Sequence, residues 1–317
     1  MLALSTLLLL VPSVLSAPLF GINLDDFFDK PADSTTKDSP AISLDDVKST
    51  LLRPAQFARA AYCSTKSLTS WTCGEPCKSL GKVNFLQSGG DEGLVPLYFI
   101  AHDPTDNAIV VSHEGTDSKN IVSIINDVKF TMADLNATRF PQFATLGVKV
   151  HSGFQDTFER TADGLLAGVL KALESTGVKK VSVTGHSLGA AVGTMTGLWL
   201  KQKVDPSVKV TVAGFGLPRG GNQAWADLLD KEVGVTFMTN QNDPVPTVPP
   251  LFLGFQHPQG EIHITDDSQK NFIKCAGQDN ENCATGNSLL SVSVSNHKGP
   301  YFEGISFGHS ACPEGRA

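Results

Sequence analysis

The sequence predicts an α/β fold of three layers, a mostly parallel central sheet covered by helices, in one domain from about residue 43 to the end. Short apolar runs rich in β-branched and aromatic residues alternate with longer segments of helical spacing, which is the rhythm of strand, helix, strand units. One of those units places the pentapeptide Gly-His-Ser-Leu-Gly between its strand and its helix. No internal repeat or low-complexity tract breaks the pattern.

The elements follow in order. "SLDDV" opens a helix, with Ser43 as N-cap and Asp46 three residues on; Val47 and Leu51 give its apolar side and it continues beyond Pro54. Strands are expected at "LYFIA" (97–101), "AIVVS" (108–112), "KVSVT" (180–184), "VKVTVAGFG" (208–216), "VGVTFMTN" (233–240) and "EIHIT" (261–265). Helical spacing runs through 153–176, 188–203 and 222–232.

Ahead of the domain, "MLALSTLLLLVPSVLSA" carries no charged side chain and centres on Leu7–Leu10. Residues 1–16 read as a secretory signal peptide, cleaved after Ser16, too short to span a bilayer comfortably. A buried N-terminal helix is the rival reading, and Pro12 works against it. Residues 17–42 mix aspartate, proline and hydroxyl residues without sustained periodicity, as a leader or propeptide does. No later segment has the length and polarity of a transmembrane helix. The mature chain is expected to be soluble, extracellular and monomeric.

Six cysteines suit an exported chain, because an even count there suggests disulfides. Local spacing suggests Cys73 with Cys77 and Cys275 with Cys283, which leaves Cys63 for Cys312. A metal site at Cys73 and Cys77 is the rival, but no second ligand pair lies at zinc-finger spacing. The long bridge would stabilise by about 4–5 kcal/mol in the loop-entropy account. Asn136 in "NAT" is an N-glycosylation acceptor. A formal net charge of −7 disfavours nucleic acid and anionic membranes as partners and leaves neutral lipid open.

The strand, turn and helix around Ser187 are the setting a nucleophile elbow needs. Gly185 and Gly189 remove side chains that would collide where the chain turns, and the helix N-terminus directs N–H groups toward a developing oxyanion. The bland alternative is a serine that merely caps the helix. A nucleophilic serine needs a base and an orienting acid, in the order Ser, acid, His. Asp243 in "TNQNDPVPTVPP" follows a strand, and the prolines after it stiffen its loop. Four histidines follow Ser187: His257, His263, His297 and His309. His263 lies inside a strand pattern, His257 close behind a proline-rich loop, and His309 near Cys312. His297 follows a strand-like "LLSVSVS" and opens a Gly-Pro loop, so it is the preferred base. For the oxyanion, the N–H of Leu188 needs a second donor, and Thr116 at the end of "AIVVSHEGTDS" is the candidate, against a plain turn role.

Taken together, "SHEGT", "VKVHSGF", "VSVTGHSLGAA", "GFGLPRGGNQAWAD", "NDPVPTVPP" and "NHKGPYF" resemble the fungal class 3 lipases, in that family's order, from about Ala60 to Cys312. The resemblance implies an α/β-hydrolase-type fold, a triad of Ser187, Asp243 and His297, and oxyanion donors at Thr116 and Leu188. It also implies the one long and two local disulfides. The segment with Ile121, Val122, Ile124 and Ile125 on one side resembles the family's lid; burying those side chains in lipid would supply roughly 1.5–3 kcal/mol each. Two departures stand out. His113 and Glu114 occupy the places of an aromatic and an arginine, so that arginine's lid contact does not carry over, and the loop after His297 is one residue longer before Tyr301 and Phe302. The implied activity is hydrolysis of acylglycerol esters at an oil–water interface, with no metal or organic cofactor. An esterase for soluble or plant-wall esters, such as feruloyl esters, and an inactive lipid-binding protein are the rivals.

Overall fold

A computed structural model describes residues 38–91, 95–116, 130–287 and 291–313. The expected signal peptide, the expected leader up to residue 37 and the expected lid residues Ile121, Val122, Ile124 and Ile125 lie outside them. The strands are β1 (Ala41–Ile42), β2 (Asn84–Gly89), β3 (Tyr98–Asp103), β4 (Ala108–His113), β5 (Met132–Asp134), β6 (Lys149–His151), β7 (Lys180–His186), β8 (Lys209–Phe215), β9 (Val235–Asn240), β10 (Glu261–Ile264) and β11 (Phe272–Lys274). The α-helices are α1 (Leu44–Ala60), α2 (Thr65–Thr69), α3 (Glu75–Leu80), α4 (Ser152–Thr176), α5 (Leu188–Lys203), α6 (Gln223–Glu232) and α7 (Val294–Lys298).

Nine strands form one sheet in the order β1-β11-β10-β9-β8-β7-β4-β3-β2, and β5 pairs with β6. The expected parallel pairing holds through the middle, from β10 across β9, β8 and β7 to β4. Both flanks are antiparallel. Short connections reverse the chain between β2 and β3, β3 and β4, and β10 and β11, while β1 adds to β11 from the N-terminal end; a parallel return instead needs a crossover such as α4, α5 or α6.

Alternation sorts each strand between two cores. Ile109, Val111, Val181, Val183, Val210 and Val212 meet α4, α5 and α6 through Phe158, Leu165, Met195, Leu198 and Trp225. Ala108, Val110, Ala213, Phe215 and Met238 meet α1 and the C-terminal segment through Val47, Leu51, Phe57, Tyr301 and Phe307. Buried β-branched pairs across neighbouring strands fill such faces without polar atoms. Ser43 caps α1 by accepting from the N–H of Asp46 at 3.1 Å, and Pro54 sits inside the helix. Two sheet hydroxyls tie α1 to the strands: Thr184 Oγ1 donates to the Pro54 carbonyl at 3.1 Å and Ser112 Oγ to that of Phe57 at 2.9 Å.

Disulfides join Cys63 to Cys312, Cys73 to Cys77 and Cys275 to Cys283. The last residues of the segment 17–42 belong to the sheet: Ala41 and Ile42 pair with β11, and the carbonyls of Pro40 and Asp38 accept from Lys274 and Ala276. The strand-like reading before His297 is corrected. Ser291–Ser293 have no regular structure and Val294–Lys298 is helical. The Ser293 N–H donates to the Asn242 carbonyl and the Ser293 carbonyl accepts from Asn296, so these backbone groups go to a loop contact and a helical turn instead of a ladder.

Candidate active site

The elbow is built by close approach of backbone. Ser187 stands between β7 and α5 with φ 58° and ψ −128°, a conformation that costs an L-residue energy and persists only when its surroundings impose it. They do: the Ser187 N–H donates to the Phe215 carbonyl at 2.9 Å, and its own carbonyl accepts from Ala190 and Ala191. A Cβ on Gly189 would lie 2.5 Å and 2.6 Å from the carbonyl oxygens of His113 and Glu114. The β4 end and the start of α5 therefore touch through glycine. Ser187 makes no side-chain cap, which removes the capping alternative, and it is buried at the floor of the site. Leu188 opens α5, where N–H groups lack a partner one turn back.

Asp243 comes from the loop after β9 and His297 from the short helix α7. His297 Nδ1 and Asp243 Oδ2 are 2.8 Å apart, and both side chains are fully buried. A carboxylate there demands a proton on Nδ1 and leaves Nε2, which is buried without a hydrogen-bond partner, as the acceptor. The ring edge lies over the elbow's neighbour: a Cβ on Gly216, next to Phe215, would meet His297 Cε1 at 2.7 Å. The Thr116 hydroxyl is likewise buried and unpartnered. Its neighbour Gly115 abuts Ser187, where an added Cβ would lie 3.2 Å from the serine Cβ. The residues of the first departure also have places. His113 Nε2 meets Thr196 Oγ1 at 3.0 Å, and burial lowers the His113 pKa to about 3; Glu114 is buried and accepts the N–H of Leu97 at 2.8 Å.

The other histidines are engaged elsewhere. His263 Nδ1 lies 2.7 Å from Thr239 Oγ1, His309 Nδ1 donates to the Tyr62 carbonyl at 2.9 Å, and His257 Nε2 donates to the Pro246 carbonyl at 2.8 Å. Burial lowers the pKa of His257 and of His263 to about 4, so both rings are neutral at pH 7. Asn136 holds the N–H groups of Thr138 and Arg139 with Oδ1, and its Nδ2, the atom a glycan would take, donates to Glu159 at 2.8 Å.

Two supports escaped the sequence reading. His186, inside the pentapeptide, lies 2.8 Å through Nε2 from the His297 carbonyl and 2.6 Å through Nδ1 from the Tyr62 hydroxyl. A carbonyl only accepts, so Nε2 carries the proton and Tyr62 donates to Nδ1. Burial, then the neighbouring His297, holds the His186 pKa well below the ordinary value. Asn240 Nδ2 donates to the carbonyls of Asn296 and Pro300, on either side of the base. A buried histidine in an elbow is a signal available in sequence; nothing near Tyr62 announces its partner 124 residues away.

The described acid–base pair, strained serine and unpartnered hydroxyl form an arrangement for nucleophilic acyl transfer. The model of the family "Lipase (class 3)" matches residues 110–253. A Malassezia restricta protein named secreted mono- and diacylglycerol lipase LIP4 is 32% identical over 266 residues, covering 83% of this chain and 84% of its own. The chain belongs to the class 3 lipase family. A lipase structure from Rhizopus microsporus var. chinensis shares 27% identity with this class 3 lipase at a TM-score of 0.73, covering 88% of this chain and 95% of that one. Another, described as a triacylglycerol lipase with a serine protease triad at its catalytic centre, shares 26% at a TM-score of 0.75, covering 86% and 99%. The α/β-hydrolase fold and the class of carboxylic ester hydrolase follow for this family member. Among the described residues no helix is long and apolar enough to cross a membrane.

Proposed function

We propose that this class 3 lipase is an extracellular hydrolase of acylglycerols that works through Ser187, Asp243 and His297. The observation that carries this reading is the His297 ring, bonded to buried Asp243 through Nδ1 with Nε2 unpartnered, against Gly216, whose neighbour Phe215 accepts the N–H of the strained Ser187. Nε2 takes the Ser187 proton as Oγ attacks the ester carbonyl, and Asp243 stabilises the imidazolium that forms. The Leu188 N–H and Thr116 donate to the tetrahedral oxyanion, roughly 3–4 kcal/mol for each such donor. His297 then protonates the departing alcohol, and water, deprotonated by the same nitrogen, releases the fatty acid from Ser187.

The substrate class is supported by the relative's name and the family match. The test is hydrolysis of emulsified tri-, di- and monoacylglycerols beside dissolved short-chain and feruloyl esters, for wild type and Ser187→Ala. Acylglycerol turnover that rises above the solubility limit and vanishes in Ser187→Ala is expected. Turnover of feruloyl esters without acylglycerols would overturn the substrate, and an active Ser187→Ala would overturn the mechanism.

A further inference from the structure

Asp243 is held at second hand. Its Oδ1 accepts the N–H of Val245 at 2.9 Å, leaving Oδ2 for His297. Val245 begins a 3-10 turn, Val245–Thr247, in a stretch where prolines at 244, 246, 249 and 250 remove N–H groups that could order it from within. Four consecutive carbonyls of that stretch are bonded from outside. His257 Nε2 donates to that of Pro246, Arg219 Nη1 to those of Thr247 (2.6 Å) and Pro249 (3.1 Å), and the Arg219 N–H to that of Val248 (3.0 Å).

Arg219 is itself seated. Its Nε donates to Asp279 Oδ1 at 2.8 Å and its Nη2 to Thr285 Oγ1 at 3.1 Å, with the guanidinium and the carboxylate only 2% and 4% exposed. Asp279 Oδ2 accepts the N–H of His257, so one carboxylate orders both clamps. Burial opposes the charge of Asp279, but Arg219, the His257 N–H and the Thr285 hydroxyl together hold its pKa below the ordinary carboxylate value. Asp279 stands in the loop closed by Cys275 and Cys283.

We propose that Arg219, seated on Asp279 of the Cys275–Cys283 loop, is a positioning residue that keeps the Asp243 carboxylate aligned with His297. The inference rests on the triad reading above. A guanidinium suits the task because its fork reaches two loop carbonyls and a carboxylate at once, which a lysine ammonium at that depth does not. Its failure leaves Asp243 in place but lets the turn that carries Val245 drift, and a drift of an ångström in a catalytic group lowers turnover far more than it alters binding.

The experiment compares Arg219→Lys, Asp279→Asn and the milder Thr285→Ala with wild type on a dissolved short-chain ester, which removes interface effects. It reads kcat and KM separately and follows the downfield proton resonance of His297 Nδ1–H. Arg53→Gln, which breaks the ion pair with Asp103 on β3, is the control for lost stability. The expected result is kcat lowered about 10–100-fold in Arg219→Lys and several-fold in Thr285→Ala, KM within about twofold, and a shifted or broadened resonance. Arg53→Gln lowers Tm and leaves kcat and the resonance alone. If Arg219→Lys does not fold, Thr285→Ala and Asp279→Asn decide by the same readouts. Variants that lose Tm but keep wild-type kcat and resonance would overturn the positioning role. An active Ser187→Ala would instead overturn the triad on which it rests, whatever Arg219 does.

Discussion

Ser187 stands where backbone packs on backbone, whereas Asp243 on its loop and His297 on the single-turn helix α7 are tied down by side chains from a distance. On the serine side the contacts are between the β4 end, the β7–α5 turn and β8, with glycine removing the atoms in between. On the acid–base side they are hydrogen bonds from Arg219, His257, His186 and Asn240 to main-chain carbonyls, with Tyr62 donating to the His186 ring. Close packing fails all at once when a methyl is added, because interiors have no slack to accept it. A hydrogen-bonded loop loses position in steps, as each buried donor or acceptor is removed. The two sides of the site should therefore break differently.

The largest effect is expected on the packed side. Gly189→Val places side-chain atoms on the carbonyls of His113 and Glu114 and should cost more than about 4 kcal/mol, leaving little folded protein by near-UV circular dichroism. Asp243→Asn should fold with a Tm near that of wild type yet lose about 10⁴-fold in kcat, since an amide favours the wrong histidine tautomer; a loss under tenfold would dissolve the contrast. Tyr62→Phe leaves His186 Nδ1 without a donor in the interior, and should cost about 1–3 kcal/mol in urea unfolding together with a several-fold fall in kcat.

The smallest effect sits behind the acid's loop and depends on pH. Burial, with Asp279 adding to it against the bonds from Thr239 and Ala284, raises the Glu261 pKa from 4.5 to about 7. Between those values the folded chain keeps a proton that the unfolded chain gives up, so this contribution favours folding at low pH and is lost as pH rises through 7. Glu261→Gln, never ionised, should therefore gain on the order of 1–3 kcal/mol over wild type at pH 8 and almost nothing near pH 4, read by urea unfolding at both. Buried His113, His151, His257 and His263 carry the opposite sign. Their depressed pKa values remove stability as pH falls from 6.5 toward about 4, and toward about 3 for His113.

The same contrast divides what could be foreseen. The spacing of apolar residues marks β4, β7, β8, β9 and α4 to α6 to within a residue or two, because each period reports a face that one core must cover. The edge strands β1 and β2, and β11 next to β1, were not foreseen; they are partly exposed and defined by the strand beside them. Of the site, Ser187 and its glycines announce themselves, since strand, turn and helix are contiguous. Asp243 was legible as an acid on a stiff loop, and His297 only by preference among four histidines.

What the sequence determined by itself is therefore the local geometry: which residues alternate, where the chain must turn through glycine, and that a serine stands at that turn. Only the tertiary structure decided which histidine meets Asp243, that His186 and Tyr62 hold it, and that Arg219 and Asp279, 60 residues apart, brace the loop between. The physical reason is range. Periodicity and steric exclusion act between near neighbours in the chain, while a buried hydrogen bond binds whichever groups the packed layers bring within about 3 Å.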